Sequence, residues 1–227
     1  PMDPSKPAPR NRAPSNPVPH PPSTPATPAT AGRPVEVFAG DTPGARLDTD
    51  RLILRPATPA DATAFEAAID ALIASGDGTS GVNLPGEQAR QIVKRQLDLT
   101  AKGLRTGGAM RRAVFDREDP TAILGCCNLI TIERGLEWYA ELAFWLTPQA
   151  RGRGVAREAC AAVTEHALAD LPAGLGCTTV RAFVQPTNAR AQSLLANLGF
   201  AHQPQTREHK DTGGEHHPHE LWLKGLA

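Results

Sequence analysis

The run Arg151-Gly152-Arg153-Gly154-Val155-Ala156 places two glycines, one residue apart, between arginines. Just before it, Pro148 closes an apolar, strand-like run from Ala140 to Leu146. Just after it, an amphipathic helix pattern begins. This order sets a row of backbone N–H groups at a helix N-terminus, where the macrodipole favours an anion. Glycine at 152 and 154 lets the backbone approach that anion with no Cβ in the way. The chemistry expected here is the grip of a phosphorylated ligand.

The elements that hold this loop can be read from periodicity and breakers. Arg51 to Arg55 alternates as a first strand. Thr58, Pro59 and Asp61 open a helix with Phe65, Ile69, Leu72 and Ile73 on one face. Gly76 to Gly86 is a Gly-, Asp-, Ser- and Asn-rich loop, and a second helix runs from Glu87 to about Lys102. Strands are expected over Arg112–Asp116, Ile123–Ile132 and Glu137–Leu146. The helix from Gly154 to Asp170 buries Val155, Ala159, Ala162, Val163 and Ala167. Thr178 to Val184 is a β-branched strand, and Asn188 to Asn197 a short helix stopped by Gly199. Two last strands lie around Phe200 and around Glu220 to Leu223. The expected class is α/β with a mixed sheet, in the order β-α-α-β-β-β-α-β-α-β-β.

Composition sets the outer bounds. At 227 residues the chain supports one domain with a full core. Thirteen of its 22 prolines precede Ala45, so residues 1–45 read as a disordered, partly polyproline tail and 46–227 as the folded domain. Acidic and basic residues balance at 24 each, which argues against a broad nucleic-acid footprint. No run has the length of a secretory or membrane-spanning segment. The four cysteines (Cys126, Cys127, Cys160, Cys177) lack C-x-x-C spacing and read as reduced thiols in a cytoplasmic protein. His209, His216, His217 and His219 crowd the C-terminal hairpin without a Cys or carboxylate cluster of ligand spacing, so no metal is expected.

Order and motif together resemble the Gcn5-related N-acetyltransferase (GNAT) family over about residues 46–227. Arg151 to Ala156 looks like that family's pyrophosphate loop, Q/R-x-x-G-x-G/A. Leu146-Thr147-Pro148 is similar to its V-x-P strand end, and Asn188 ahead of Gly199-Phe200 resembles its N…GF signature. Asp50 to Pro56 with Asp61-Ala62, and Glu141 ahead of Phe144-Trp145-Leu146, resemble the ribosomal-protein-alanine N-acetyltransferase-like branch. The resemblance implies the GNAT acyl-CoA N-acyltransferase fold with acetyl-CoA as co-substrate. Its pyrophosphate would meet the amides of Gly152, Arg153, Gly154, Val155 and Ala156 and the side chains of Arg151 and Arg153. The thioester carbonyl would meet free N–H groups around Trp145 and Leu146, and Asn188 would contact the pantetheine arm.

Acetyl transfer to an amine requires a base for the amine and an exit for the thiolate. Glu141, five residues before the strand end on the face shared with Tyr139, Ala143 and Trp145, is the expected base; the alternative is a structural glutamate paired with an arginine. For the acid, the family's Tyr position holds Leu195 and the branch's Ser position holds Ala191. Ser193 is the nearest hydroxyl, about 200° around the helix from Ala191, and Tyr139 is the other candidate. Trp138, Tyr139, Phe144 and Trp145 are four of the chain's ten aromatics, mostly core, with one or two rings available to wall an acceptor pocket.

The function expected is acetyl transfer from acetyl-CoA to a primary amine, first of all a peptide or protein N-terminal α-amine. The alternatives are acetylation of a small amine metabolite or antibiotic, and a non-catalytic acyl-CoA-binding sensor. Partners are the amine acceptor and acetyl-CoA, with no nucleic acid and no membrane; a homodimer stays open.

Overall fold

A computed structural model of the chain describes residues 45–76, 88–210 and 216–225. The expected tail over 1–45 lies outside them except for Ala45, and the Gly76–Gly86 loop lies outside them except for Gly76. Ala45 is buried, and its carbonyl accepts a 3.0 Å hydrogen bond from Nε of Arg112.

The described residues form one mixed sheet with helices on both faces. In chain order the elements are β1 (Leu47–Asp48), β2 (Leu52–Arg55), α1 (Ala62–Ala74), α2 (Ala89–Thr106), β3 (Ala113–Asp116), β4 (Ile123–Arg134) and β5 (Trp138–Leu146). There follow α3 (Val155–Leu168), β6 (Thr179–Val184), α4 (Ala189–Asn197), β7 (Ala201–Lys210) and β8 (His216–Gly225). The sequence pattern holds, with two differences. β1 is a two-residue edge strand paired with β2, too short for alternation to show. β7 and β8 run to ten residues each. β7 lies at the other edge of the sheet and is almost entirely exposed, so its sequence carries no buried alternation.

Local chemistry explains the helix starts. Asp61 accepts from the Thr58 backbone N–H and hydroxyl, both at 2.8 Å, which closes the entry to α1. Asn188 caps α4, its Oδ1 accepting from Ala191 N–H at 3.1 Å. Gly107, left-handed at φ 66°, ends α2.

The strand order is β1-β2-β3-β4-β5-β6-β8-β7, and every pairing is antiparallel except β5 with β6. A parallel pair needs a long crossover, and α3 supplies it. That pairing is short. It runs from Tyr139↔Thr179 to Glu141↔Arg181 and stops. From Leu142 onward β5 has no strand partner on that side, while β6 continues with β8 to Val184.

Each face of the sheet has its own core. One gathers Ala140 and Leu142 of β5 and Val180, Ala182 and Val184 of β6 beneath Ala159, Val163 and Ala167 of α3. The other packs Phe115, Cys126 and Trp145 against Phe65 and Ile69 of α1 and Ile92 of α2. Strand alternation therefore places Tyr139, Glu141 and Ala143 on the α1/α2 face with Trp145. Gly125 is a required glycine, because a Cβ there would collide with the Trp145 carbonyl across the β4–β5 ladder.

Candidate active site

Where β5 and β6 part, a cleft of about 1040 Å³ opens. Its walls are Phe144 to Leu146, the loop at Arg151, Gly152 and Gly154, the first turn of α3, and the segment from Thr187 to Ala191 with Leu194. Gly152 and Gly154 have φ of 72° and 79°, the left-handed region that disfavours side chains. Around Gly152, a Cβ would meet nothing within 4 Å. Gly154 is the N-cap of α3, and its carbonyl accepts the first helical bond, from Glu158 N–H at 3.1 Å. The amides from Gly154 to Arg157 consequently have no acceptor among the described residues. The loop is a ready anion site of the kind read from the sequence.

The two loop arginines behave differently. Arg151 lines the cleft, and its Nη2 donates to the Leu146 carbonyl at 3.2 Å. Arg153 does not line it. Its guanidinium turns to β3, 3.7 Å from the carboxylate of Asp116. The Arg153 side chain, expected on the phosphate, pairs here with Asp116 and stands away from the cleft wall. Arg157 and Arg190 line the cleft instead. Both sit in the first turns of their helices, α3 and α4, where a cation opposes the macrodipole. Two misplaced cations ahead of one cleft were the signal available in the sequence.

Of the two strand amides expected to be free, that of Leu146 is and that of Trp145 is not. Thr147 N–H donates to Leu124 of the neighbouring chain segment at 2.8 Å, and the Trp145 carbonyl faces Gly125. Alternation then turns the peptide groups of Phe144 and Leu146 away from β4, toward the gap left by β6. Trp145 borders the cleft, but its amide belongs to the β4 ladder and its ring packs on Phe65 with centroids 6.2 Å apart. The N–H groups that face the gap are those of Phe144 and Leu146. Asn188 lines the cleft with its Oδ1 spent on the cap of α4. That leaves its –NH2 to donate.

Glu141 is buried at the last residue of β5 that pairs with β6. Arg207 of β7 grips it with both ends of the guanidinium, Nη2 to Oε1 at 2.7 Å and Nη1 to Oε2 at 3.2 Å. The same guanidinium lies 3.8 Å from the Phe183 ring centroid. Two residues back, Tyr139 carries Arg181 over its ring at 3.8 Å, and Arg181 bridges to Glu137 at 2.6 Å. At about 3.3 Å per residue, Tyr139 lies about 17 Å along the strand from the Phe144 amide, whereas Glu141 lies about 10 Å from it. Tyr139 is therefore too far to serve the leaving thiolate. Ser193 is exposed on α4 and absent from the cleft wall, as its rotation from Ala191 requires. Ala191 lines the cleft and Leu195 is fully buried in the core. Neither expected proton donor reaches the site.

Two histidines of the C-terminal hairpin, His209 and His219, meet edge to face with ring centroids 5.2 Å apart, and burial holds His219 below its ordinary pKa. Among the described residues, no group of three or more His, Cys, Asp or Glu could hold a metal, and no helix is long and apolar enough to cross a membrane.

Residues 51–201, from the residue before β2 to the first residue of β7, match the acetyltransferase (GNAT) domain family. Three solved structures share the fold. The ribosomal-protein-S5-alanine acetyltransferase from Vibrio fischeri is 16% identical, with a TM-score of 0.64 over 79% of this chain and 96% of its own. RimJ from Mycobacterium smegmatis, in complex with CoA-disulfide, is 18% identical, with a TM-score of 0.62 over 77% and 82%. The microcin C7 self-immunity acetyltransferase MccE, in complex with acetyl-CoA and AMP, is 13% identical, with a TM-score of 0.66 over 78% and 94%. Comparison with curated protein sequences returns no match. The fold and the loop define an acyl-group transferase. The chain belongs to the GNAT acetyltransferase family.

Proposed function

We propose that this protein transfers an acetyl group from acetyl-CoA to a primary amine, and that the acceptor is the α-amine of a peptide or protein. The observation that carries the reading is the place of Glu141. It is a buried carboxylate at the point where β5 and β6 separate, on the opposite face of the sheet from α3. Acetyl-CoA supplies an activated acetyl thioester. The cleft fits that ligand chemically: unpaired amides at the start of α3 and the side chains of Arg151, Arg157 and Arg190 suit its phosphates, and the Asn188 amide suits an extended polar arm. The N–H groups of Phe144 and Leu146 face the gap and would hold the thioester carbonyl.

The acceptor amine enters from the α1/α2 face, and Glu141 takes its proton directly or through water. In this reading the thiolate leaves without a hydroxyl from α4, since Ala191 has none and Ser193 is exposed. The catalytic unit spans residues 46–227, with the proline-rich segment outside it. Support for a polypeptide acceptor comes from the ribosomal-protein acetyltransferases among the neighbours. A small amine is the alternative, favoured by the microcin self-immunity neighbour.

The test is thiol release from acetyl-CoA with N-terminal peptides and small amines in parallel. Peptide-dependent turnover supports the reading. Turnover on small amines alone transfers the acceptor to the alternative, and tight acetyl-CoA binding with no turnover on any amine favours a sensor.

A further inference from the structure

Arg51 stands just before β2, beside the glycine loop, but does not line the cleft. Its Nη1 donates to the Arg153 carbonyl at 3.1 Å. Its Nε donates to Oε2 of Glu158 at 2.7 Å, and its backbone N–H to Oε1 of the same residue at 3.0 Å. The Thr49 hydroxyl adds a 2.6 Å bond to that Oε1. Glu158 in the first turn of α3 is thus moored to the segment joining β1 and β2, and Arg51 spans from this mooring to the loop. Together these bonds lower the pKa of Glu158 despite its partial burial.

The Arg51 side chain is 57% exposed, and an ion pair there contributes little to stability. What the contact does fix is the plane of one peptide. In a trans peptide the C=O and the following N–H point in opposite directions. With the Arg153 carbonyl drawn toward Arg51, the Gly154 N–H turns the other way, to the side on which Gly154 borders the cleft. That N–H opens the row of unpaired amides running to Arg157. Gly154 is tied to the same device: a Cβ there would stand 3.3 Å from Nη2 of Arg51.

We propose that Arg51, moored by Glu158, is a positioning residue for the diphosphate of the donor: it orients the Arg153–Gly154 peptide so that its N–H meets the phosphate oxygens. The proposal rests on the reading of acetyl-CoA as donor. It carries a consequence that a merely structural role would not. A ligand with the pantetheine arm but no diphosphate should be indifferent to Arg51.

The experiment is calorimetric titration of the full chain with CoA and with pantetheine. Arg51→Ala is expected to weaken CoA binding by about tenfold, the scale of one charge-assisted contact, and to leave pantetheine affinity within about twofold. Glu158→Gln, which frees Arg51 without altering β2, should give a smaller loss of the same selectivity, and Arg51→Lys likewise. These two variants keep the test decisive where Arg51→Ala fails to fold. CoA affinity unchanged in the folded variants, or an equal loss for CoA and pantetheine, overturns the proposal. A wild-type chain that binds no CoA would strike the donor reading itself, before any variant is compared.

Discussion

Arg207 and Glu141 face each other as a two-pronged ion pair, at 2.7 and 3.2 Å, though they stand 66 positions apart in the chain. Arg207 comes from the edge strand β7, and Glu141 sits buried where β5 loses its partner. The pair ties the C-terminal hairpin to the carboxylate assigned as base. Each carboxylate oxygen accepts one guanidinium N–H, and its remaining lone pair is available to an amine or a water. Whether this carboxylate works as a base or only as a strut decides the chemistry of the site.

Glu141→Gln keeps the shape and removes the charge. Turnover should fall by at least about tenfold, the lower end of a general-base contribution, while acetyl-CoA affinity stays unchanged. Steady-state kinetics beside a binding titration separate the two, and wild-type turnover would remove Glu141 from the proton transfer.

Arg207→Ala leaves a buried carboxylate without its partner. With Arg207 half exposed (47%), the cost to stability should be only about 1–2 kcal/mol. Its effect should fall on kcat and on the pH–rate profile rather than on donor binding, and Arg207→Lys should recover part of it. A variant with normal kinetics and only a lower unfolding midpoint would make the pair a strut.

Gly154→Ala forces a Cβ into left-handed backbone at φ 79° and to within 3.3 Å of Arg51. The expected loss is about 1–2 kcal/mol of folding stability, with acetyl-CoA affinity reduced further. Gly152→Ala carries the conformational strain without the contact, so its stability loss should be the smaller of the two. Chemical denaturation of both variants checks the order.

Asp61 predicts a pH effect away from the chemistry. Its hydrogen bond with Arg55 is the main cause that draws its pKa from an ordinary 3.8 to about 2. A folded-state pKa below the unfolded one means that the ionised form favours the fold. The contribution, about 1–2 kcal/mol after solvent screening, should be complete above pH 3.8 and vanish as pH falls through 2. The stability difference between wild type and Asp61→Asn, followed by denaturation across that range, should shrink toward zero on acidification. A difference that stays constant with pH would assign it to the helix cap alone.

Much of this site could be read from the chain because its signals are local. Two glycines, a proline stop and a helix pattern within seven residues define the loop. Period two placed Glu141 on the correct face. The rest depends on residues distant in sequence. Nothing near Arg153 reveals that Asp116 will claim its side chain, or that Arg51 will claim its carbonyl. Arg207 was hidden for a further reason: β7 is an exposed edge strand whose sequence lacks apolar alternation, so neither its length nor its reach is written locally. The free amides at Phe144 and Leu146 rather than Trp145 follow from the ladder of β4 and β5, a register only the folded sheet supplies.

The most direct test of the account is mass spectrometry of amines incubated with the protein and isotopically labelled acetyl-CoA, with Glu141→Gln as the control. The wild-type chain should leave a labelled acetyl group on peptide α-amines, and the variant should give a strongly reduced yield. Acetyl-CoA bound by both proteins with no acetylated amine from either would contradict it.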